Sequence, residues 1–81
     1  MLVLIPSPLH SYTGGKRIAA SGATGGELLA DLDRQFPGLR FRMVDEPERI
    51  RPRMRLFVNG EQVFDLGRAV NNADEVAIVQ A

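Results

Sequence analysis

The sequence predicts an α+β fold in which a mixed sheet of about four or five strands carries one main helix on one face. Three observations support this prediction. An amphipathic helix with clear start and stop signals lies between Thr24 and Gly38. An Asn-Gly pair at 59–60 joins two strand-like runs, which is typical of a β-hairpin. The last run, 75–80, is apolar on both faces, which favours a strand inside the sheet over one at its edge.

Length and composition predict a single domain over residues 1–81 with a small core. Apolar residues make up 44% and charged residues 25%, which is typical of a globular domain. The sequence has no cysteine, which excludes disulfides, cysteine–zinc sites and thiol catalysis in it. A net charge of zero argues against a general nucleic-acid binder. The opening residues have neither a basic lead nor a long apolar run, so we expect no signal peptide or membrane span and a cytoplasmic protein.

The first two predicted strands form a hairpin. The apolar run Leu2–Ile5 is interpreted as a buried strand that Pro6 and Pro8 bring to an end. Residues 7–15 are rich in turn formers and predict a loop. The short run 16–20 is bounded by glycines and predicts the second strand.

The helix has a signal at each end. Thr24 stands three residues before Glu27, which is the spacing of a capping box. Pro37 and Gly38 predict its end. Its apolar residues recur at helical spacing and form one stripe that needs a sheet to cover it. The stripe consists of Leu28, Leu29, Leu32 and Phe36.

The second half supplies the remaining strands. Residues 39–44 predict a short turn of helix, and residues 45–53, with two prolines and no apolar period, predict an exposed loop. Residues 54–58 and 61–66 predict the two strands of the Asn-Gly hairpin. In the closing strand, Val76 and Ile78 are expected to face the helix. This element order is that of the ubiquitin-like β-grasp, in which the first and last strands lie parallel in the middle of the sheet.

Four stretches in this order resemble the small sulfur-carrier proteins of the MoaD/ThiS type. They cover nearly the whole chain: "VLIP" at 3–6, "HSYTGG" at 10–15, "LFVNGEQV" at 56–63 and "ADEVAIVQA" at 73–81. The resemblance is strongest to the small subunit of molybdopterin synthase and to carriers that serve cysteine synthesis.

The resemblance implies a protein co-substrate and not an enzyme. Such carriers bind no cofactor. An E1-like activating enzyme uses ATP to adenylate the carboxylate of a C-terminal Gly-Gly, which becomes a thiocarboxylate and donates sulfur to a synthase. A Gly-Gly end is therefore expected a few residues beyond Ala81, and the sequence printed here does not include it. The alternative without such a tail is a ubiquitin-like interaction module that only binds.

Two surfaces are candidate docking sites. The resemblance implies a partner-binding patch on the exposed sheet face that comprises Pro6, Gln62, Val79 and Ala81. The run "ERIRPRMR" places four arginines at a spacing of two, so an extended chain would turn them all to one side: Arg49, Arg51, Arg53 and Arg55. They predict electrostatic docking to an acidic partner or, less favoured, to a phosphate backbone such as RNA. The alternative is a solvated face with some arginines paired to Asp45, Glu46 and Glu48.

The remaining candidates indicate no catalysis. His10 is the only histidine and has neither a nucleophile nor a metal partner near it in sequence, so a structural or surface role is expected. The glycine pairs at 14–15 and 25–26 lack the spacing of a phosphate loop. Asp31 and Asp33 diverge on a helix and cannot act as an acid–base pair. We therefore predict no catalytic residue and no metal site.

Overall fold

The computed structural model describes residues 1–45 and 49–81. The strands in this part of the chain are β1 (Leu2–Leu4), β2 (Arg17–Ala19), β3 (Val44–Asp45), β4 (Arg49–Ile50), β5 (Met54–Val58), β6 (Glu61–Val63) and β7 (Val76–Gln80). The α-helices are α1 (His10–Thr13), α2 (Gly25–Gln35) and α3 (Leu39–Met43). Across these residues, no helix has the length and apolar content that a membrane crossing requires.

Five strands form the main sheet in the order β2-β1-β7-β5-β6. β1 and β7 are parallel, with Val3 opposite Val76, and the other neighbouring pairs are antiparallel. The α+β, ubiquitin-like β-grasp prediction is therefore confirmed, including the central place of the last strand.

The first hairpin differs from the prediction in two respects. β1 is not buried on both faces: Val3 is fully buried, whereas Leu2 and Leu4 are 59% and 46% exposed. The segment predicted as a loop is mostly helical, with a 3-10 turn at Ser7–Leu9 followed by α1. Proline is accepted in the first turn of a helix, and the buried side chain of Leu9 anchors this one in the core.

The predicted capping of α2 is confirmed. The Thr24 hydroxyl accepts a hydrogen bond from the Glu27 amide at 3.2 Å. The Glu27 carboxylate accepts one from the Ala23 amide at 3.3 Å, one residue before the position that a capping box specifies. Each such cap contributes about 1 kcal/mol. The leucines of the apolar stripe are buried, and Phe36, at the C-cap, is partly buried against the same core.

The segment after α2 contains more structure than predicted. α3 confirms the expected turn of helix. The exposed-loop interpretation is wrong for β3 and β4, which pair antiparallel with Val44 opposite Ile50. Local patterns missed this pairing because each strand is only two residues long. Residues 46–48 lie outside the described residues, and so does any pairing of an arginine with Glu46 or Glu48.

The second hairpin turns at the predicted Asn-Gly pair. Asn59 and Gly60 have φ values of 52° and 83°, as a type I′ turn requires. The Asn59 side chain also holds the start of β7: it donates to the Asp74 carboxylate at 3.0 Å and accepts from the Glu75 amide at 2.9 Å. The turn and the central strand are thus fixed to each other.

Asp74 makes stability depend on pH. A hydrogen bond from the Asn71 amide, and then one from the Asn59 side chain, hold the pKa of Asp74 below its ordinary value. A lowered folded-state pKa adds stability above the unfolded pKa of about 3.9, and this stability is lost as the pH falls through the folded pKa. We expect Asp74→Asn to lower the urea midpoint at neutral pH, with the difference from wild type shrinking in acid. A difference that stays constant between neutral pH and strong acid would contradict this linkage.

Candidate tail-exit site and docking face

β7 carries the end of the chain out of the middle of the sheet. Met54 of β5 lies opposite Gln80, and the Ala81 amide donates a hydrogen bond to the Arg53 carbonyl at 2.7 Å. Ala81 itself is exposed. The last described residue is therefore held by its backbone at the end of the sheet while remaining exposed.

The sheet has one face on the core and one face open. Val76 and Ile78 of β7 are buried, as predicted, whereas Val79 is 43% exposed on the opposite face. Cross-strand registers align one row of side chains across all five strands of this open face. The row reads Arg17, Leu4, Ala77, Phe57 and Gln62.

We call the open face the docking face and define it by Leu2, Leu4, Phe57, Gln62, Ala77 and Val79. Two of the predicted partner-binding residues, Gln62 and Val79, lie on it. Ala81 continues β7 beyond Val79, and Pro6 follows β1 at the same end of the sheet because β1 and β7 run parallel. Single exposed apolar side chains are ordinary, but a contiguous group on one sheet face is typical of an interaction site.

The prediction missed Leu2, Leu4 and Phe57 as members of this face. In the run Leu2–Ile5 every residue is apolar, so alternation between faces could not be read from residue type. Phe57 stands between two buried residues, Leu56 and Val58, and looks like a third core residue in the sequence. Side chains alternate between the two faces of a strand, so burial of Leu56 and Val58 requires Phe57 to face the other way. This alternation is the sequence signal that could have placed Phe57 on the docking face.

The four arginines do not lie on one extended strand. Arg49 belongs to β4 and Arg55 to β5, and a turn between them is closed by a hydrogen bond from the Met54 amide to the Arg51 carbonyl at 2.9 Å. The geometry assumed from the period of two is therefore wrong. We call residues 49–55 the arginine turn. The hydrogen bond from the Ala81 amide to Arg53 ties this turn to the end of β7.

The arginine turn borders a cleft of about 490 Å³ beside the chain end. We call it the arginine cleft; its walls include Phe41, Arg42, Arg51, Pro52, Arg53 and Gln80. Arg51 is fixed twice at this cleft: its Nε donates to the Phe41 carbonyl at 2.7 Å, and its guanidinium lies 4.7 Å from the centre of the Phe41 ring. Arg55 folds back onto the carbonyls of Pro52 and Met54.

The other candidate residues have structural partners. His10 Nε2 lies 2.8 Å from the Ile5 carbonyl oxygen. The amides of Gly25 and Gly26 donate to the carbonyls of Arg68 and Leu66, at 3.0 and 2.8 Å, so protein oxygens already occupy this helix N-terminus.

The two helix aspartates serve as local anchors. The Asp31 carboxylate accepts from Arg34 and, at 3.0 Å, from the Ser21 amide, and these contacts lower its pKa. Asp33 accepts from the amides of Gly38 and Arg40, at 3.1 and 3.2 Å. Within residues 1–45 and 49–81, no cluster of histidine and acidic side chains could hold a metal ion.

Comparison with known proteins gives consistent results over almost the full length. A family model described as the ThiS family matches residues 3–81. The sulfur carrier protein CysO of Mycobacterium tuberculosis (strain ATCC 25618 / H37Rv) is 34% identical over 85 aligned residues, covering 98% of this chain and 91% of that protein.

Two solved structures extend this likeness to three dimensions. The crystal structure of Mycobacterium tuberculosis CysO has a TM-score of 0.94 and 32% identity, covering 99% of this chain and 97% of that one. A chain of the Amycolatopsis orientalis BexX/CysO complex has a TM-score of 0.92 and 31% identity, covering 99% of this chain and 93% of that one.

Proposed function

Because this chain belongs to the ThiS family, we propose that it carries sulfur as a thiocarboxylate at a C-terminal tail extending from β7. The sulfur-carrier prediction is confirmed by relatives that are themselves named sulfur carrier proteins. Their agreement over nearly the whole chain favours a carrier over a module that only binds, and a protein co-substrate over an enzyme.

The observation that carries the proposal is the exit of the chain from the central strand. The sheet holds β7 on both sides through β1 and β5, whereas Ala81 is exposed at its end. A rigid body can dock on a partner while residues beyond Ala81 extend into the partner's active site. Glycine suits the far end of such a tail because, without a side chain, it passes through a narrow channel.

The proposed chemistry has two steps, both on the partner. The terminal carboxylate oxygen attacks the α-phosphorus of ATP, and pyrophosphate leaves to give an acyl-adenylate. A sulfur nucleophile such as sulfide then attacks the acyl carbon, and AMP leaves to give the thiocarboxylate. The 81 residues contain no cysteine, so they offer no thiol on which sulfur could instead be held as a persulfide.

Two kinds of partner follow from this chemistry. The first is an E1-like activating enzyme that binds ATP, and the second is a synthase that accepts the sulfur. A solved complex of a similar CysO chain with BexX supports the view that this fold docks on a second protein. The similarity to CysO carriers favours cysteine biosynthesis as the pathway served. We further propose that the reaction takes place in the cytoplasm, where ATP is supplied.

Intact-mass spectrometry tests the proposal. The full gene product, incubated with the cognate activating enzyme, ATP and sulfide, is expected to gain the mass of one sulfur-for-oxygen replacement. The matched control omits ATP and should show no gain. An unchanged mass in the presence of ATP, with an activating enzyme that loads another carrier under the same conditions, would contradict the proposal.

A further inference from the structure

We propose that the arginine cleft receives an acidic segment of the partner that also presents an apolar side chain. This inference rests on the proposed function, because it concerns the partner that receives the tail. It assigns the cleft a role separate from that of the docking face, namely recognition by charge next to the point where the chain leaves the sheet.

Charge is distributed unevenly along the central strand. Asp74 and Glu75 stand where β7 begins, and Glu61 begins β6 at the same end of the sheet. The arginine turn lies at the other end, where β7 finishes. The two ends are separated by the length of a five-residue strand, about 15 Å at the usual rise. The arginines therefore cluster beside the tail exit, where one of them, Arg49, lies opposite Asp45.

The cleft arginines are available for a partner. No ion pair joins Arg42, Arg51 or Arg53 to an acidic side chain within the described residues. The two contacts of Arg51 with Phe41 fix its guanidinium before any partner arrives. Less conformational entropy is then lost on binding a carboxylate, and a fixed guanidinium can bind it bidentately.

Two further features favour a peptide over a simple anion. Phe41 is 72% exposed and forms an apolar wall with Pro52, which suits a hydrophobic side chain between two acidic ones. Gln80 also lines the cleft at the end of β7, and its side-chain amide contains both a hydrogen-bond donor and an acceptor. The N–H and C=O groups of a peptide backbone match both of these groups.

The cleft lies at the same end of the sheet as Val79 but on the other side, because Met54 and Gln80, which line it, alternate with Arg55 and Val79 along β5 and β7. Arg55 lies directly opposite Val79, so the arginine turn borders that face where β7 ends. A partner seated on the docking face would reach the cleft by extending past Arg55 and around the end of β7. A nucleic-acid backbone is the less favoured occupant, because the chain has a net charge of zero and not the strong excess of basic residues that is usual in nucleic-acid binders.

The kinetic test uses sulfur loading by the cognate activating enzyme. The double variant Arg51→Gln/Arg53→Gln is expected to raise KM for the carrier about tenfold at low salt while leaving kcat unchanged. Its KM should also depend less on salt than that of wild type. The matched control, Arg34→Gln/Arg68→Gln, removes the same charge elsewhere and should behave as wild type. Equal KM values for the two double variants would overturn the proposal.

A binding experiment separates this inference from the proposed function. The probe is an acetylated peptide of alternating Glu and Leu, compared with its Gln-for-Glu counterpart by NMR of the labelled carrier. The acidic peptide should shift the amide signals of Phe41, Arg51 and Gln80, and the neutral one should not. Equal shifts with inorganic phosphate, or tighter binding of single-stranded RNA, would overturn the proposal. Failure of sulfur loading in wild type would refute the carrier chemistry and leave this result standing.

Discussion

Replacing Val79 with glutamate is expected to raise the KM of the activating enzyme for this carrier by about tenfold, because docking on this face would bury an unpaired carboxylate at a cost of about 1.4 kcal/mol or more. Val79 is 43% exposed in the free protein, on the docking face one residue before the end of β7. Docking would bury the new carboxylate against the partner without a matching charge, which is unfavourable. Initial rates of sulfur loading over a range of carrier concentrations measure the effect.

The matched control for this variant is Ala30→Glu. Ala30 is exposed on α2, and the same charge there lies away from the docking face. Its KM should equal that of wild type. Both variants should melt near the wild-type temperature, since Val79 has an exposed position in the fold and lies outside the buried core. If Val79→Glu and Ala30→Glu have the same KM, the partner docks elsewhere.

Replacing Gly22 with alanine is expected to destabilise the fold by about 1–3 kcal/mol, the usual range for overpacking. A Cβ at this position would lie 2.6 Å from the Leu28 amide nitrogen and 2.9 Å from the Glu27 carbonyl carbon. Both atoms belong to the backbone of α2, so neither can rotate away as a side chain would. In a domain of this size the melting temperature should fall by about 4–8 °C per kcal/mol.

Gly15→Ala is the control for backbone entropy. Apart from its own residue and its two chain neighbours, an added Cβ at Gly15 would have no heavy atom within 4 Å. Its melting temperature should stay near that of wild type, since a surface change of this kind alters stability by about 0.5 kcal/mol at most. Circular dichroism melts of the two variants make the comparison. Equal melting temperatures would mean that the close approach at Gly22 is not a tight constraint.

The sequence predicts best where a local signal is complete. Thr24 and Glu27 mark the start of α2, and Asn59 with Gly60 fixes a turn that only a few residue types adopt. The closing strand was predicted as central because both of its faces are apolar. In each case, the residues that determine the structure lie within a few positions of one another in the sequence.

Prediction failed where the deciding contact lies far away in sequence. Leu2 and Leu4 of β1 are exposed because no second layer of the fold covers them. A run in which every residue is apolar does not show which of its side chains will be covered. The arginines meet the chain end only because the turn before β5 lies beside the last residue of β7. Glycine is needed at position 22 because backbone atoms of α2, which begins three residues later, lie too close to leave room for a Cβ.

Fragment-ion mass spectrometry of the loaded carrier tests the central claim most directly. The added sulfur is expected on the C-terminal residue alone, because the proposed tail after β7 would be the reactive part and residues 1–81 contain no thiol. Fragments from the N-terminal end through Ala81 should then keep their unmodified masses. Sulfur on any internal fragment, or an end that stays a carboxylate in the loaded protein, would contradict it.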